Sequence, residues 1–224
     1  NKIIYFTYPE KEVEINYEPV NILYEDAFLI AAFKPPFLLV HNDGNSQDTL
    51  QARINGYLQL NGNKYPAQAI HRIDYETSGL VLFCKHPFFQ AYCDKNMEEH
   101  HIKKDYIALV QGHTNYKNKK IVSNIARDRH NAKKMIIHPN GKESISIFNT
   151  LKNYKDYSLI QVSILTGRKH QIRVQCASLK HPILNDSLYG GKRIDNTGLL
   201  LQSHHIQFND IDVICPQEKR FIRK

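Results

Sequence analysis

The chain has 224 residues, 42% hydrophobic and 23% charged, with a formal net charge of +8. That length allows a substantial core and that balance is ordinary for a globular protein, while no segment approaches the roughly 20 uninterrupted apolar residues of a membrane span. Cys84, Cys93, Cys176 and Cys215 form no CxxC pair, which excludes a zinc knuckle or redox dithiol and fits a reducing, cytoplasmic setting.

Along the chain, the longest apolar run, FLIAAFKPPFLLV, is broken by Lys34, Pro35 and Pro36. The N-terminus lacks the layout of a signal peptide, and its first residue, Asn1, points to a trimmed start. Within residues 22–40, ILYED and FLIAAFK read as two strands, closed by the proline pair and followed by LLV. The loop HNDGNSQ carries turn residues. Thr49 to Leu60 has helical spacing, with Asp48 as the expected N-cap. GLVLFC at 79–84 reads as a buried strand, and FFQAYCDKNMEEH as the helix after it. KKDYIALVQG reads as a strand with Tyr106, Ala108 and Val110 on one face. YSLIQVSIL at 157–165 is a further strand; it enters the turn TGRK, and HQIRVQCASLK reads as a helix.

Strands and helices intermix without a βαβ cadence, so the expected class is α+β with a largely antiparallel sheet. No GxGxxG follows a strand, which disfavours a dinucleotide fold. With no repeat, low-complexity tract or long linker, one domain over 1–224 is expected.

The charge is uneven. Residues 1–50 hold three basic and eight acidic side chains, and residues 51–99 hold five of each. Residues 100–143 hold ten basic and three acidic, and residues 144–224 twelve and six. The excess therefore lies in the second half, as a face for a polyanion or simply as a solvated lysine-rich surface.

Three segments place polar groups at the ends of apolar runs. In HRIDYETSGLVLF, one residue separates Arg72 from Asp74, and no glycine-rich loop or DFG accompanies them, which excludes a kinase loop. Thr77-Ser78-Gly79 can turn the chain and hold Asp74 in one orientation, although an isolated Asp is most often only a turn cap. In KDYIALVQG, Tyr106 offers a flat face and an exchangeable proton. In LTGRKHQIRVQCASLKHPILNDSLYG, Gly167 permits a sharp turn, Arg168 stands at the mouth of the helix, and Arg173 and Lys180 fall on or near its surface. A guanidinium suits a carboxylate because its planar fork donates two charge-assisted bonds.

Taken in order, these segments resemble the RluA-type family of pseudouridine synthases. The pattern HRLDxxTSG is met by His71, Arg72, Asp74, Thr77, Ser78 and Gly79, with Ile73 in place of leucine. The pattern KxYxAxVxG is met by Lys104, Tyr106, Ala108, Val110 and Gly112. The pattern TGRxHQIR is met by Thr166, Gly167, Arg168, His170, Gln171, Ile172 and Arg173. His181-Pro182-Ile183, Asp186 and Tyr189-Gly190 match a fourth stretch, and YEDAFLIAAFKPPFLLVH resembles the opening strand pair, so the likeness spans about residues 20–210. Departures are Pro36-Phe37 for Ala-Gly, Gln175 and Gln202 for histidines, and Lys180 and Asn185 for glycines.

The resemblance implies a pseudouridine-synthase-like fold, a mixed, largely antiparallel sheet flanked by helices and loops around a central cleft. It implies conversion of uridine to pseudouridine in ribosomal or transfer RNA, without cofactor or metal, by a cytoplasmic monomer lacking a separate RNA-binding domain in front. Asp74 would be the catalytic carboxylate, as nucleophile or as stabiliser of the displaced sugar. Arg168 would pair with it, Tyr106 would stack on uracil and shuttle a proton, and Leu201 would exclude water. Arg72 would fill the stack vacated by the flipped base. His71, Thr77, His170, Gln171 and Arg173 would complete the substrate site. The basic stretch 100–143, with Arg173, Lys180, Lys192 and Arg193, would meet phosphates. The rival readings are a non-catalytic RNA binder and a metal-dependent hydrolase using His100, His101, His204 and His205, whose adjacent pairs point apart and make poor ligand sets.

Overall fold

The computed structural model describes residues 13–44, 46 and 48–222, so positions 45 and 47 of the expected turn lie outside the described residues. The elements are β1 (Asn21–Glu25), β2 (Leu29–Lys34), α1 (Leu50–Leu60), β3 (Gln68–Ala69), β4 (Ser78–Cys84), α2 (Pro87–Glu98) and β5 (Lys103–Gln111). They continue with β6 (Lys119–Arg127), β7 (Met135–Ile137), β8 (Lys142–Asn153), β9 (Tyr157–Ile164), α3 (Gln171–Ser178), β10 (Leu201–Phe208) and β11 (Ile211–Ile214). The result is the expected α+β, mixed and largely antiparallel sheet, with order β1-β2-β4-β10-β5-β9-β8-β6-β7, β3 beside β4 and β11 beside β10.

Period-two patterning builds both faces of this sheet. In β2 and β4, Ile30, Ala32, Val81 and Phe83 join one core with Leu50, Ile54 and Leu58 of α1 and Ile172 and Cys176 of α3. Their alternates Leu29, Ala31, Leu80, Leu82 and Cys84 join a second core with Cys93 of α2. All seven residues of β4 are consequently buried. α1 is capped by Thr49, whose hydroxyl accepts from Ala52 N–H at 3.1 Å. The expected cap, Asp48, instead binds Arg53 at 2.7 Å, because the cap position falls one residue later.

Among the described pairs of strands, β10 and β4 make the parallel one, with Ser203 opposite Gly79. Gly79 has φ +110, and a Cβ there would lie 2.1 Å from the Ser203 carbonyl oxygen. Only glycine allows that approach, which brings the Asp74 loop against the start of β10.

The departures from glycine occupy left-handed backbone: Phe37 has φ 65, Lys180 67 and Asn185 67. Lys180 follows α3 in a Schellman turn, its N–H bonding Ala177 O and His181 N–H bonding Cys176 O, both at 3.0 Å. Among the described residues, no helix is long and apolar enough to cross a membrane.

Candidate active site

A cavity of about 550 Å³ opens where the 71–77 loop, β5, the start of β10 and the 164–173 segment meet. Asp74, Tyr106, Arg168, Arg173, His170 and Leu201 all contribute to its wall. His71, Arg72, Thr77 and Gln171 line it as well, so the ten residues expected at the catalytic and uridine-binding site lie at one place, while Lys180, Lys192 and Arg193 lie outside its wall.

Asp74 is partly exposed, and its Oδ2 lies 3.3 Å from Arg173 Nη1. The expected Arg168–Asp74 pair does not form. Arg168 instead donates from Nε to the Glu143 carbonyl oxygen at 2.9 Å. The reason is local. His170 takes φ 55 at the entrance of α3, and this left-handed residue turns the chain after Arg168. His170 and Arg173, three residues apart, then share the helix face toward Asp74, with His170 Nε2 3.8 Å from Asp74 Oδ2.

Arg173 is buried, and Asp186 grips it with two bonds of 2.8 Å to Nε and Nη2. Its guanidinium also lies 5.1 Å from the Tyr189 ring centre. A cation engaged by two carboxylates and a ring is not available to phosphate, so the expectation of an Arg173–phosphate contact is corrected. Met135 N–H donates to the Tyr189 hydroxyl at 2.8 Å, and that hydroxyl lies 2.9 Å from His170 Nδ1. A neutral His170 protonated on Nε2 satisfies this chain, with the hydroxyl donating to Nδ1 and Nε2–H facing the carboxylate. Burial, outweighing the attraction of Asp74, draws the His170 pKa down to about 4 and keeps the ring neutral.

Tyr106 is 6% exposed. Burial, with the Asp74 charge adding to it, pushes its pKa above the ordinary phenol value, so a protonated ring faces the cavity. His71 accepts from Leu82 N–H at 3.1 Å through Nε2, and burial draws its pKa to about 3. The Thr77 N–H closes the loop on the Asp74 carbonyl oxygen at 3.1 Å. Its buried hydroxyl has no hydrogen-bond partner among the described residues. The Gln171 amide is fully engaged. Its Oε1 accepts from Thr166 and Arg168, and its Nε2 donates to Ile145 and Ser146, tying the turn to β8. Arg72 is exposed at the rim, 3.5 Å from His41.

Sequence reasoning left out two supports. Asp186, quoted only as a match, is the anchor of Arg173. Lys34 is fully buried and donates to the carbonyl oxygens of Pro35, Leu38 and Tyr75 at 2.8, 2.8 and 3.0 Å. Burial draws its pKa to about 7, but three carbonyls match the three protons of an ammonium, which holds the charged form. Through Tyr75 this lysine pins the backbone beside Asp74.

Lys117, Lys119, Lys120, Arg127, Arg129 and Lys142 stand exposed along β6, the loops at its two ends and the start of β8, a basic outer region of the sheet. His205 binds Asp105 and Asp212 at 3.0 and 2.6 Å. Among the described residues no group of three or more His, Cys, Asp and Glu is placed to hold a metal.

Residues 29–178 match the family model described as RNA pseudouridylate synthase. The chain is 36% identical over 203 residues to an uncharacterized RNA pseudouridine synthase, YhcT, of Bacillus subtilis, covering 89% of this chain and 66% of the relative. It is 32% identical over 188 residues to ribosomal large subunit pseudouridine synthase D of Haemophilus ducreyi, covering 82% and 58%. The chain therefore spans less than two thirds of the length of these relatives. The human RNA pseudouridylate synthase domain containing 1 structure superposes with a TM-score of 0.76 at 22% identity, covering 94% of this chain and 86% of that one, a likeness of fold. With a match over 150 of 224 residues and relatives above 30% identity, the chain belongs to the RNA pseudouridylate synthase family.

Proposed function

We propose that the chain isomerises uridine to pseudouridine in structured RNA, ribosomal or transfer, as one catalytic unit in the cytoplasm. The observation that carries this reading is the Asp74 carboxylate 3.3 Å from the anchored Arg173 in the wall of a cavity shared with Tyr106. The volume, about 550 Å³, is within the range of small-ligand sites and suits one extruded nucleotide.

The reaction breaks the C1′–N1 bond, turns the base and joins C5 to C1′; the C5 proton leaves and N1 gains one. Asp74 meets the anomeric carbon as nucleophile or stabilises the displaced sugar, and Arg173 stabilises it as an anion. Tyr106 stacks on uracil and its phenol passes the proton. Leu201, 4% exposed, keeps water from the reacting carbon. Extruding the base from a stem costs a few kcal/mol, and Arg72 at the rim fills the gap by stacking. The basic region around β6, with Lys180, Lys192 and Arg193, tracks phosphates without reading sequence. A non-catalytic RNA binder would need the basic region but not a carboxylate facing a buried guanidinium.

The test is tritium release from RNA transcripts labelled at uridine C5. Asp74→Asn should abolish release while leaving RNA binding within about threefold, and persistent release would overturn the assignment.

A further inference from the structure

We propose that Lys104 is a phosphate contact inside the cavity, taking a phosphodiester oxygen next to the nucleotide drawn into the Asp74 site; this rests on the pseudouridine synthase reading. Three basic side chains are buried among the described residues: Lys34, Lys104 and Arg173. Two have complete sets of partners, the three carbonyls around Lys34 and the two carboxylates on Arg173. Lys104 does not. It is 6% exposed, and the partner of its Nζ is the Met97 Sδ at 3.4 Å, a weak acceptor.

Its place in the fold gives the missing partner a direction. Lys104 and Tyr106 are two residues apart on β5 and share a face, and both line the cavity. The ring expected beneath uracil and the ammonium are thus neighbours. His71, also in that wall, is kept neutral by burial and supplies no counter-charge. Burial alone draws the Lys104 pKa, to about 8, with no nearby carboxylate to hold it up; the group is still mostly protonated at pH 7. A desolvated cation with only a thioether acceptor is costly. Uracil and ribose carry no charge, so the anion an RNA brings into this cavity is its phosphodiester.

The test uses the full chain and the variants Lys104→Met and Lys104→Arg. Binding of a ribosomal RNA transcript is measured over a salt series, together with tritium release and thermal melting. Lys104→Met should bind about tenfold more weakly, the loss of one charged hydrogen bond, and lower the slope of log Kd against log salt by about one. Its melting temperature should hold or rise, because an uncompensated charge is removed. Lys104→Arg should keep the wild-type slope.

An unchanged slope with a lower kcat at saturating RNA would instead put Lys104 in the chemistry. A lowered melting temperature with an unchanged slope would make it structural; either result overturns the proposal. Absence of tritium release by the wild type from ribosomal and transfer RNA transcripts sinks the catalytic reading. The salt slope and melting temperature judge Lys104 regardless.

Discussion

Asp186 holds Arg173 by two nitrogens at 2.8 Å, and the third nitrogen is left 3.3 Å from Asp74. The buried acid aims the cation; the cation aims the Asp74 carboxylate. Asp186→Asn keeps the shape but loses one acceptor and the charge. Its kcat should fall about 100-fold, as for a misplaced catalytic group, with RNA affinity nearly unchanged. Breaking a buried pair of this kind also costs about 3–5 kcal/mol of stability, which denaturant unfolding would measure. An equal loss in kcat and RNA binding would show a merely structural anion.

The two arginines of the 168–173 segment should behave differently. Arg173→Lys removes the fork that serves Asp186 and Asp74 together, and tritium release should fall at least tenfold. Arg168→Ala loses a bond to a backbone carbonyl, and kcat should stay within about threefold. Assaying both variants on one transcript decides the assignment; the reverse ranking would restore Arg168.

Acid should weaken the fold before the carboxylates titrate. Burial lowers the pKa of His71 to about 3 and of His170 to about 4, against an ordinary value of about 6.5. Between pH 6.5 and 4 the unfolded chain therefore binds protons that the native rings refuse, and stability falls with falling pH. The slope per ring is at most about 1.4 kcal/mol per pH unit. Melting followed from pH 7.5 to 4.5 should show this decline, and His170→Gln should flatten it. A pH-independent melting temperature over that window would contradict it.

Backbone strain gives a contrast between two non-glycine positions. Lys180 is exposed at φ 67 in the α3 Schellman turn. Lys180→Gly should stabilise by about 1 kcal/mol, the left-handed penalty less the entropy of glycine. Asn185 has the same φ, but its amide donates to Asp195 and Gly198 and its carbonyl accepts from Ile194. Asn185→Gly should destabilise, and thermal melting of the pair reads both signs.

Much of this was legible because the residues concerned are local. β2, β4 and β9 are short apolar runs, and Asp74 and Tyr106 sit in segments whose residue order carries the family likeness. β6 and β8 were harder to see. In β8 the inward face carries Ser144 and Ser146, fully buried beside Phe148, while Ile145 and Ile147 are only half covered. The usual polarity is inverted because Ser146 hydroxyl and Ser144 carbonyl bond the buried Gln175, one of the departures from the family pattern. Choosing between Arg168 and Arg173 needed the left-handed His170, which residue type does not announce. The Lys34 and Asp186 supports join positions 41 and 13 residues apart in the chain, and such pairings appear only with the tertiary structure.

The position of β10 has a temporal consequence. It fills the slot between β4, which follows the Asp74 loop, and β5, which bears Tyr106. Until residues 201–208 leave the ribosome, those two halves have no strand to join them. All the strands from β1 to β9 must be synthesised before the pocket can close, and the long-range pairing makes slow assembly the expected regime. A nascent chain is thereby without a closed pocket until β10 has been made.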